Sequence, residues 1–297
     1  IEAVQLFNKD STNIRPEDWI EIVRFAQQVY GQYDGMVVLH GTDTMGYTSA
    51  ALSYMMQNLP IPVVLTGSQR PVTHNHSDAR KNLLDAVRFA CEPLSGVYVV
   101  FAGAAIFGTR AVKIKTQSDD AFASVNFPCA AAIEGTRIRY NVDLPRLGRT
   151  GDAPRFYTSL CPDVLAVKLI PGLKTDLLEW AKNRYKGVIV ESYGRGGLPF
   201  EGENSFLDKI AELSSAGAEV VITTQCMWEG SDLTVYEVGR KALELPVIPA
   251  FDMTTEAAAA KLMWVLANAK TREEVRSMFL TPVNFDLSIS AENEANE

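Results

Sequence analysis

The chain of 297 residues carries 28 Lys and Arg against 36 Asp and Glu, a formal net charge of −8, and 47% of it is apolar. That apolar share over this length can bury a core large enough for two domains, no uninterrupted apolar run reaches the roughly 18 residues of a membrane span, and the acidic balance leaves no basic footprint for nucleic acid. Cys91, Cys129, Cys161 and Cys226 are scattered without a CxxC pair and stand beside only three histidines, so no zinc site is expected and the cysteines read as reduced thiols of a cytosolic protein.

Taken in chain order, the first feature is KDSTN, just ahead of Pro16 and Trp19, where Ser11 reads as a turn or helix-cap serine. The apolar strand MVVL then runs into His40-Gly41-Thr42-Asp43-Thr44 and a helix expected over 44–57; PVVLTGS, a helix over 77–91 and the strand GVYVVFAG at 96–103 follow. This βαβα rhythm with short apolar strands predicts a parallel sheet covered on both faces. Ligands of such sheets bind beyond the carboxyl ends of the strands. His40 to Thr44 and Thr66 to Gln69 both occupy such ends, so spacing and fold rule point to one site.

FGTRAVKIKT reads as an extended β-branched segment in which Lys113 and Lys115 share a face. From Arg137 to Asp163 the periodicity breaks, with RLGRTGDAP and LCPD rich in Gly, Pro and charge, as in an interdomain linker. A second, shorter βα series follows. Its strands are VLAVKLI, GVIVESYG and AEVVITTQC, its helices lie at about 174–185 and 204–215, and TTEAAAAKLMWVLANA forms a late helix started by Thr254, Thr255 and Glu256. The polar tail AENEANE is expected to fray. The fold class is α/β: a larger parallel-sheet domain over 1–150, a linker over 151–163 and a smaller Rossmann-like domain over 164–297.

The chemistry concentrates where strand gives way to helix at Gly41-Thr42-Asp43-Thr44. Hydroxyls and a carboxylate there neighbour unpaired backbone N–H groups and the positive end of the helix dipole, a setting for a carboxylate ligand or a developing oxyanion. On residue type alone, Asp43 is as well read as a helix N-cap, Thr42 as a turn residue, and Lys113 as a solvated lysine of an edge strand. His74 and His76 lie in an irregular polar stretch without a partner motif and are not expected to act as general bases; Ser77-Asp78 opens a helix and can cap it, so Asp78 and Asn82 read as structural.

The order HGTDT, TGSQRP, SDxxxNL, followed by GTRAVKIKT at 108–116, DAFAS at 120–124, ESYGRGGLP at 191–199, TTQC at 223–226 and DMTTEAAAAKLMWVL at 252–266, resembles the bacterial-type L-asparaginases over nearly the whole chain. The SYG, TQC and MTTEA motifs resemble the type I, cytoplasmic branch. The resemblance implies hydrolysis of L-asparagine to L-aspartate and ammonia without metal or cofactor, by a homodimer or homotetramer acting on a small amino acid, with no nucleic-acid or membrane partner. It makes Asp43 the ligand of the substrate α-ammonium, Thr42 the second catalytic threonine and Lys113, by the Arg110-x-x-Lys113 spacing, the third member of a Thr–Lys–Asp triad parallel in logic to Ser–His–Asp. Lys115 keeps its surface reading. Ser11 becomes a ligand of the α-carboxylate, with Thr12 beside it where some relatives have Gln. Ser68 marks the backbone carbonyl that faces the side-chain amide. Cys226 either lines a regulatory amino-acid site, as in some type I relatives, or is a small buried strand-end residue.

Members of this family open with a strand ending in Gly-Gly-Thr-Ile, whose threonine attacks first, and a mobile lid; about 30 to 40 such positions have no counterpart before Ile1. Loss of a strand from the middle of a sheet would expose two edges, so trimming or cleavage with retention is expected. Two other readings use the same motifs: the asparaginase-like ammonia-releasing component of a tRNA-dependent amidotransferase, and a non-catalytic amino-acid-binding homologue.

Overall fold

The computed structural model describes residues 1–141, 151–202 and 205–288; the expected fraying of 291–297 and part of the linker reading fall outside them. The chain divides into two compact units, Ile1–Ser159 with Val283–Phe285, and Leu160–Pro282 with Asp286–Glu297.

In the first unit, helix α1 (Pro16–Val29) opens with Pro16 and two acids, Glu17 and Asp18, and its Trp19, Ile22, Val23 and Ala26 form the buried stripe of an amphipathic helix. Strand β1 (Met36–Leu39) leads to α2 (Met45–Met55), in which every residue but Tyr47 is buried. A helix apolar on all sides belongs inside, and its Gly46, Ser49, Ala50 and Ser53 let backbone approach closely. The short β2 (Met56–Gln57) precedes β3 (Pro62–Thr66), α3 (Ala79–Ala90), β4 (Gly96–Phe101) and β5 (Ala104–Phe107). Next come β6 (Ala111–Lys113), β7 (Phe122–Ser124), β8 (Ala131–Glu134), β9 (Arg137–Tyr140) and β10 (Arg155–Phe156).

The main sheet has the order β1-β3-β4-β5-β8-β9. Its first three strands are parallel, and β5, β8 and β9 continue it antiparallel. The near-continuous burial of Val63 to Leu65 and Val97 to Phe101 is what a sheet covered on both faces requires. On one face Phe89, Tyr98, Val100 and Phe107 pack together. β6 and β7 form a separate antiparallel ribbon. β9 lies where the pattern was expected to be broken from Arg137 onward. Its Arg137 and Arg139 are more exposed than Ile138 and Tyr140, a period of two too short to stand out in a charged stretch.

The second unit has four parallel strands in sequential order: β11 (Val164–Lys168), β12 (Gly187–Ser192), β13 (Glu219–Thr224) and β14 (Val247–Pro249). β14 is only three residues long and ends in proline, and no strand was expected there. The helix expected over 174–185 is confined to Asp176–Ala181, because Asn183 takes a left-handed φ of 63° that a helix cannot include. Ser205 and Thr254 cap the helices Phe206–Ser215 and Thr255–Asn268 by accepting the Asp208 and Ala257 N–H groups. Inside the latter helix Lys261 is fully buried and donates to the equally buried Asp286 (2.6 Å) and to Thr281 O (2.7 Å).

Removing one member of a buried ion pair strands the other's charge. Lys261→Met is expected to destabilise the chain by about 3 to 5 kcal/mol, read as a lowered denaturation midpoint, and the double change Lys261→Met with Asp286→Leu to recover most of it.

Candidate active site

The register that sets Leu39 opposite Thr66 carries on past both strand ends, so Thr42 and Gln69, each three residues beyond, meet. The Thr42 hydroxyl donates to Gln69 Oε1 at 3.1 Å. Lys113, the last residue of β6, directs Nζ into the same turn and donates to Thr42 Oγ1 (2.8 Å) and to Asp43 Oδ1 (2.5 Å). One ammonium thus bridges a hydroxyl and a carboxylate. The lysine side chain is 20% exposed and that of Asp43 56%, so the carboxylate faces water while the amine is largely enclosed.

Ser11 roofs this turn. Its Oγ accepts the Asp43 N–H (3.3 Å), and its carbonyl accepts the Thr44 hydroxyl (2.7 Å). A Cβ on Gly41 would lie 2.6 Å from Ser11 Oγ, so only glycine fits beneath it. Having accepted one hydrogen bond, the Ser11 hydroxyl keeps its own proton to donate. Thr12 is exposed and occupied locally, its N–H and hydroxyl both donating to Asp10 Oδ1. Ser68 is half-buried at the end of β3.

Two residues of the strand-end stretches, neither assigned a role from sequence, support the site. Gln69 Nε2 reaches Lys115 O and Ser118 O at 3.4 Å, spanning from β3 to the segment after β6. His40 is held on both ring nitrogens: Nδ1 lies 2.6 Å from Gly41 O and Nε2 2.9 Å from Thr48 Oγ1. A carbonyl can only accept, so Nδ1 carries the proton and Nε2 receives the Thr48 hydroxyl. Thr48 Oγ1 in turn accepts the Trp19 Nε1–H (2.9 Å). Burial pushes the His40 pKa below its ordinary value, only partly offset by the hydrogen bond to Gly41.

Of the Ser77-Asp78 pair expected to cap α3, Asp78 takes no part. No helix N–H reaches its side chain; the carboxylate accepts the N–H groups of Gln69 and Arg70 and the Asn82 amide. Ser77 Oγ takes the Ala79 N–H instead. An acid that meets two loop N–H groups at a strand end is satisfied there and has no need of the helix.

The family model described as asparaginase, N-terminal, matches residues 1–146, and that of the glutaminase/asparaginase C-terminal domain matches residues 163–279. The chain belongs to the asparaginase family. An L-asparaginase of Thermococcus kodakarensis is 44% identical over 278 residues, 94% of this chain and 83% of that protein. A solved structure of the thermostable L-asparaginase from that organism superposes with a TM-score of 0.93 at 42% identity, covering 97% of this chain and 87% of the other. L-asparaginase 1 of Escherichia coli K12 is 36% identical, over 90% of this chain and 78% of its own length. A component of the glutamyl-tRNA(Gln) amidotransferase of Pyrococcus abyssi is 37% identical over 93% of this chain, which spans 64% of that protein.

Elsewhere in this asparaginase-family chain, Lys115 pairs with Asp120 at the surface, and His74 and His76 are exposed, their ring centroids 6.5 Å apart. Cys226 is exposed, not buried: its N–H donates to Thr224 Oγ1, and it lines a cavity of about 310 Å³ with Arg195, Trp228, Glu229 and Asp232. A larger, open depression of about 470 Å³ lies against His76, Asp78, Lys81 and Asp119. None of Thr42, Asp43 and Lys113 lines it, so convergence of polar groups, not cavity size, marks the candidate site. No helix of the described residues is long and apolar enough to cross a membrane.

With its folded pKa depressed, His40 is neutral in the folded chain at pH values where the unfolded chain is already protonated. Stability is therefore full above about pH 6.5 and falls as the pH drops toward the folded pKa, by about 1.4 kcal/mol per pH unit at most. Urea unfolding at pH 7.5 and 5.5 is expected to show this loss, and His40→Gln to reduce it.

Proposed function

We propose that this chain hydrolyses L-asparagine to L-aspartate and ammonia without metal or cofactor. The observation that carries the reading is the Lys113 ammonium bonded at once to the Thr42 hydroxyl and the Asp43 carboxylate, in a chain 44% identical to an L-asparaginase. Asp43 receives the substrate α-ammonium, and Ser11, with the N–H groups of the turn, receives the α-carboxylate; opposed charges at this spacing read the zwitterionic end of an amino acid. Thr12 flanks that end, and the Ser68 carbonyl faces the side-chain amide. After the first nucleophile has displaced ammonia and left an acyl ester, Thr42, in proton-transfer contact with Lys113 at 2.8 Å, directs water to the ester carbon, which frees aspartate and restores the nucleophile's hydroxyl. Backbone N–H groups beyond β1 and β3 hold the oxyanion of the tetrahedral intermediate, each worth about 3 to 4 kcal/mol in such sites.

The first attack belongs, by resemblance, to the threonine of a Gly-Gly-Thr-Ile segment, a motif that does not occur among these 297 residues. The domain boundaries are those of the sequence reading: 1–150 for the catalytic domain, 151–163 for the linker and 164–297 for the smaller domain. The SYG, TQC and MTTEA motifs support a cytoplasmic, type I enzyme working as a homodimer or homotetramer, with Cys226 at a regulatory position.

A second reading, release of ammonia for a tRNA-dependent amidotransferase, draws on the 37% identity to the Pyrococcus abyssi protein. Ammonia release from free L-asparagine, with neither tRNA nor a partner protein present, decides between them, with intact mass read on the same sample. Turnover at a mass above 32.6 kDa supports the two-threonine mechanism; turnover at that mass gives the attack to residues within this sequence; aspartate binding without turnover overturns the reading.

Lys113→Met is expected to lower kcat by about three orders of magnitude, in the range of triad deletions. Asp43→Asn is expected to raise KM about tenfold or more, through the lost counter-charge to the α-ammonium. Steady-state ammonia assays of the two variants measure both.

A further inference from the structure

The turn Gly108-Thr109-Arg110 joins β5 to β6 and so decides where Lys113, three residues on, comes to lie. Helix α2 holds it on one side. Ser49 Oγ donates to Gly108 O at 2.7 Å, and a Cβ on Gly108 would fall 2.7 Å from Ser53 Oγ, so the contact admits no side chain.

The distant segment Val283–Phe285, which belongs to the same unit, holds it on the other. Asn284 O accepts the Thr109 hydroxyl (2.7 Å), and Phe285 O accepts Arg110 Nε–H (2.6 Å). The Phe285 ring centroid lies 4.4 Å from that of Phe107 and 5.3 Å from that of Phe127, and the Arg110 guanidinium sits over Phe127. The Asn284 amide donates both to Ser53 Oγ and to Val97 O, each at 3.0 Å. One side chain thereby ties α2, β4 and the strap together.

Asn284 and Phe285 take left-handed φ values of 48° and 63°. That conformation suits asparagine and strains phenylalanine, and it persists only where surrounding contacts over-determine it. Helix α2 begins directly after Thr42 and Asp43, and β6 ends at Lys113, so the strap joins the two elements whose separation sets the Lys113–Thr42 contact.

We infer that Asn284 is a positioning residue for Lys113: its amide fastens α2 and β4 to the strap whose backbone carbonyls hold Thr109 and Arg110, and so keeps Nζ within reach of Thr42 and Asp43. The inference rests on the proposed hydrolysis for its kinetic arm. In Asn284→Ala, kcat for ammonia release from L-asparagine is expected to fall about 10- to 100-fold, the range for a displacement of about 1 Å, with KM changed less than about threefold. In a Lys113→Met background the same substitution is expected to change the residual rate less than about twofold, because no lysine remains to be placed. Equal losses in both backgrounds would mean a general packing role and overturn the inference.

A second arm needs no turnover. Acetylation of individual lysines, followed by peptide mass spectrometry, is expected to proceed several-fold faster at Lys113 in Asn284→Ala, with surface Lys115 and buried Lys261 unchanged. An unaltered Lys113 rate, or equal acceleration at Lys261, would overturn the inference. Should the unaltered chain release no ammonia, the proposed hydrolysis fails while the labelling still decides the role of Asn284. Asn284→Gly, which adopts the same φ without strain, carries both arms if the alanine variant does not fold.

Discussion

Everything at the candidate site depends on how closely the start of α2 and the end of β6 approach, because Lys113 must reach Thr42 and Asp43 together. Neither residue is adjacent to it in sequence, and the ribbon of β6 and β7 lies outside the main sheet. The approach is possible because α2 presents glycine, alanine and serine where a larger side chain would hold the Gly108 turn away. The serines also satisfy buried carbonyls, Ser49 Oγ donating to Gly108 O at 2.7 Å and Ser53 Oγ to Ser49 O at 2.8 Å. Small size and hydrogen bonding are needed at the same positions, which explains serine there in a helix buried on nearly every side.

The parallel strands supply the second condition. Their paired register brings successive strand ends to one level, and the backbone groups beyond the last ladder bond need partners. Polar side chains meet that need: the Asp78 carboxylate takes the Gln69 and Arg70 N–H groups, and the Asn82 amide donates to Gly67 O. The polar groups that close the strand ends also hold Gln69 where it receives the Thr42 hydroxyl. Structural satisfaction and site geometry are here one network.

Much of this was legible in the sequence. The alternation of apolar runs with amphipathic stretches located β1, β3 and β4 and the helices between them, since burial on both faces imposes continuous apolar strands. Family motifs named Thr42, Asp43 and Lys113, which residue types alone left as a turn residue, a cap and a surface lysine. The antiparallel continuation through β5, β8 and β9 was not legible, because pairing across a sheet is set by contacts between segments and not by local period. Asp78 illustrates the same limit: a helix start and a strand-end loop both offer N–H groups, and only the fold decides which of them lies closer. Gln69 and His40 fell within the strand-end stretches singled out from sequence, but neither was assigned a role, for a related reason. Their partners, Thr42 and Thr48, follow from the strand register and the first turn of α2, which motif spacing does not show.

Backbone strain follows the same logic. Among the described residues of the first unit, the left-handed positions held by asparagine, Asn58, Asn126 and Asn284, are ordinary for that residue, whereas Ala102 and Phe285 are not. Each of those two costs on the order of 1 to 3 kcal/mol, and each is pinned by a buried polar side chain. The Ala102 N–H donates to Asn82 Oδ1, and Phe285 O accepts from Arg110 Nε. Hydrogen bonds to a charged guanidinium are worth about 1.5 to 3 kcal/mol, enough to offset the strain at Phe285. Asn82 also binds the loop of Gln69, and Arg110 opens the strand of Lys113, so the two most strained backbones of this unit are held by the residues that shape the candidate site. The Arg110-x-x-Lys113 spacing therefore has a physical basis: the arginine anchors the turn, and three residues of strand later the lysine emerges at the height of Thr42.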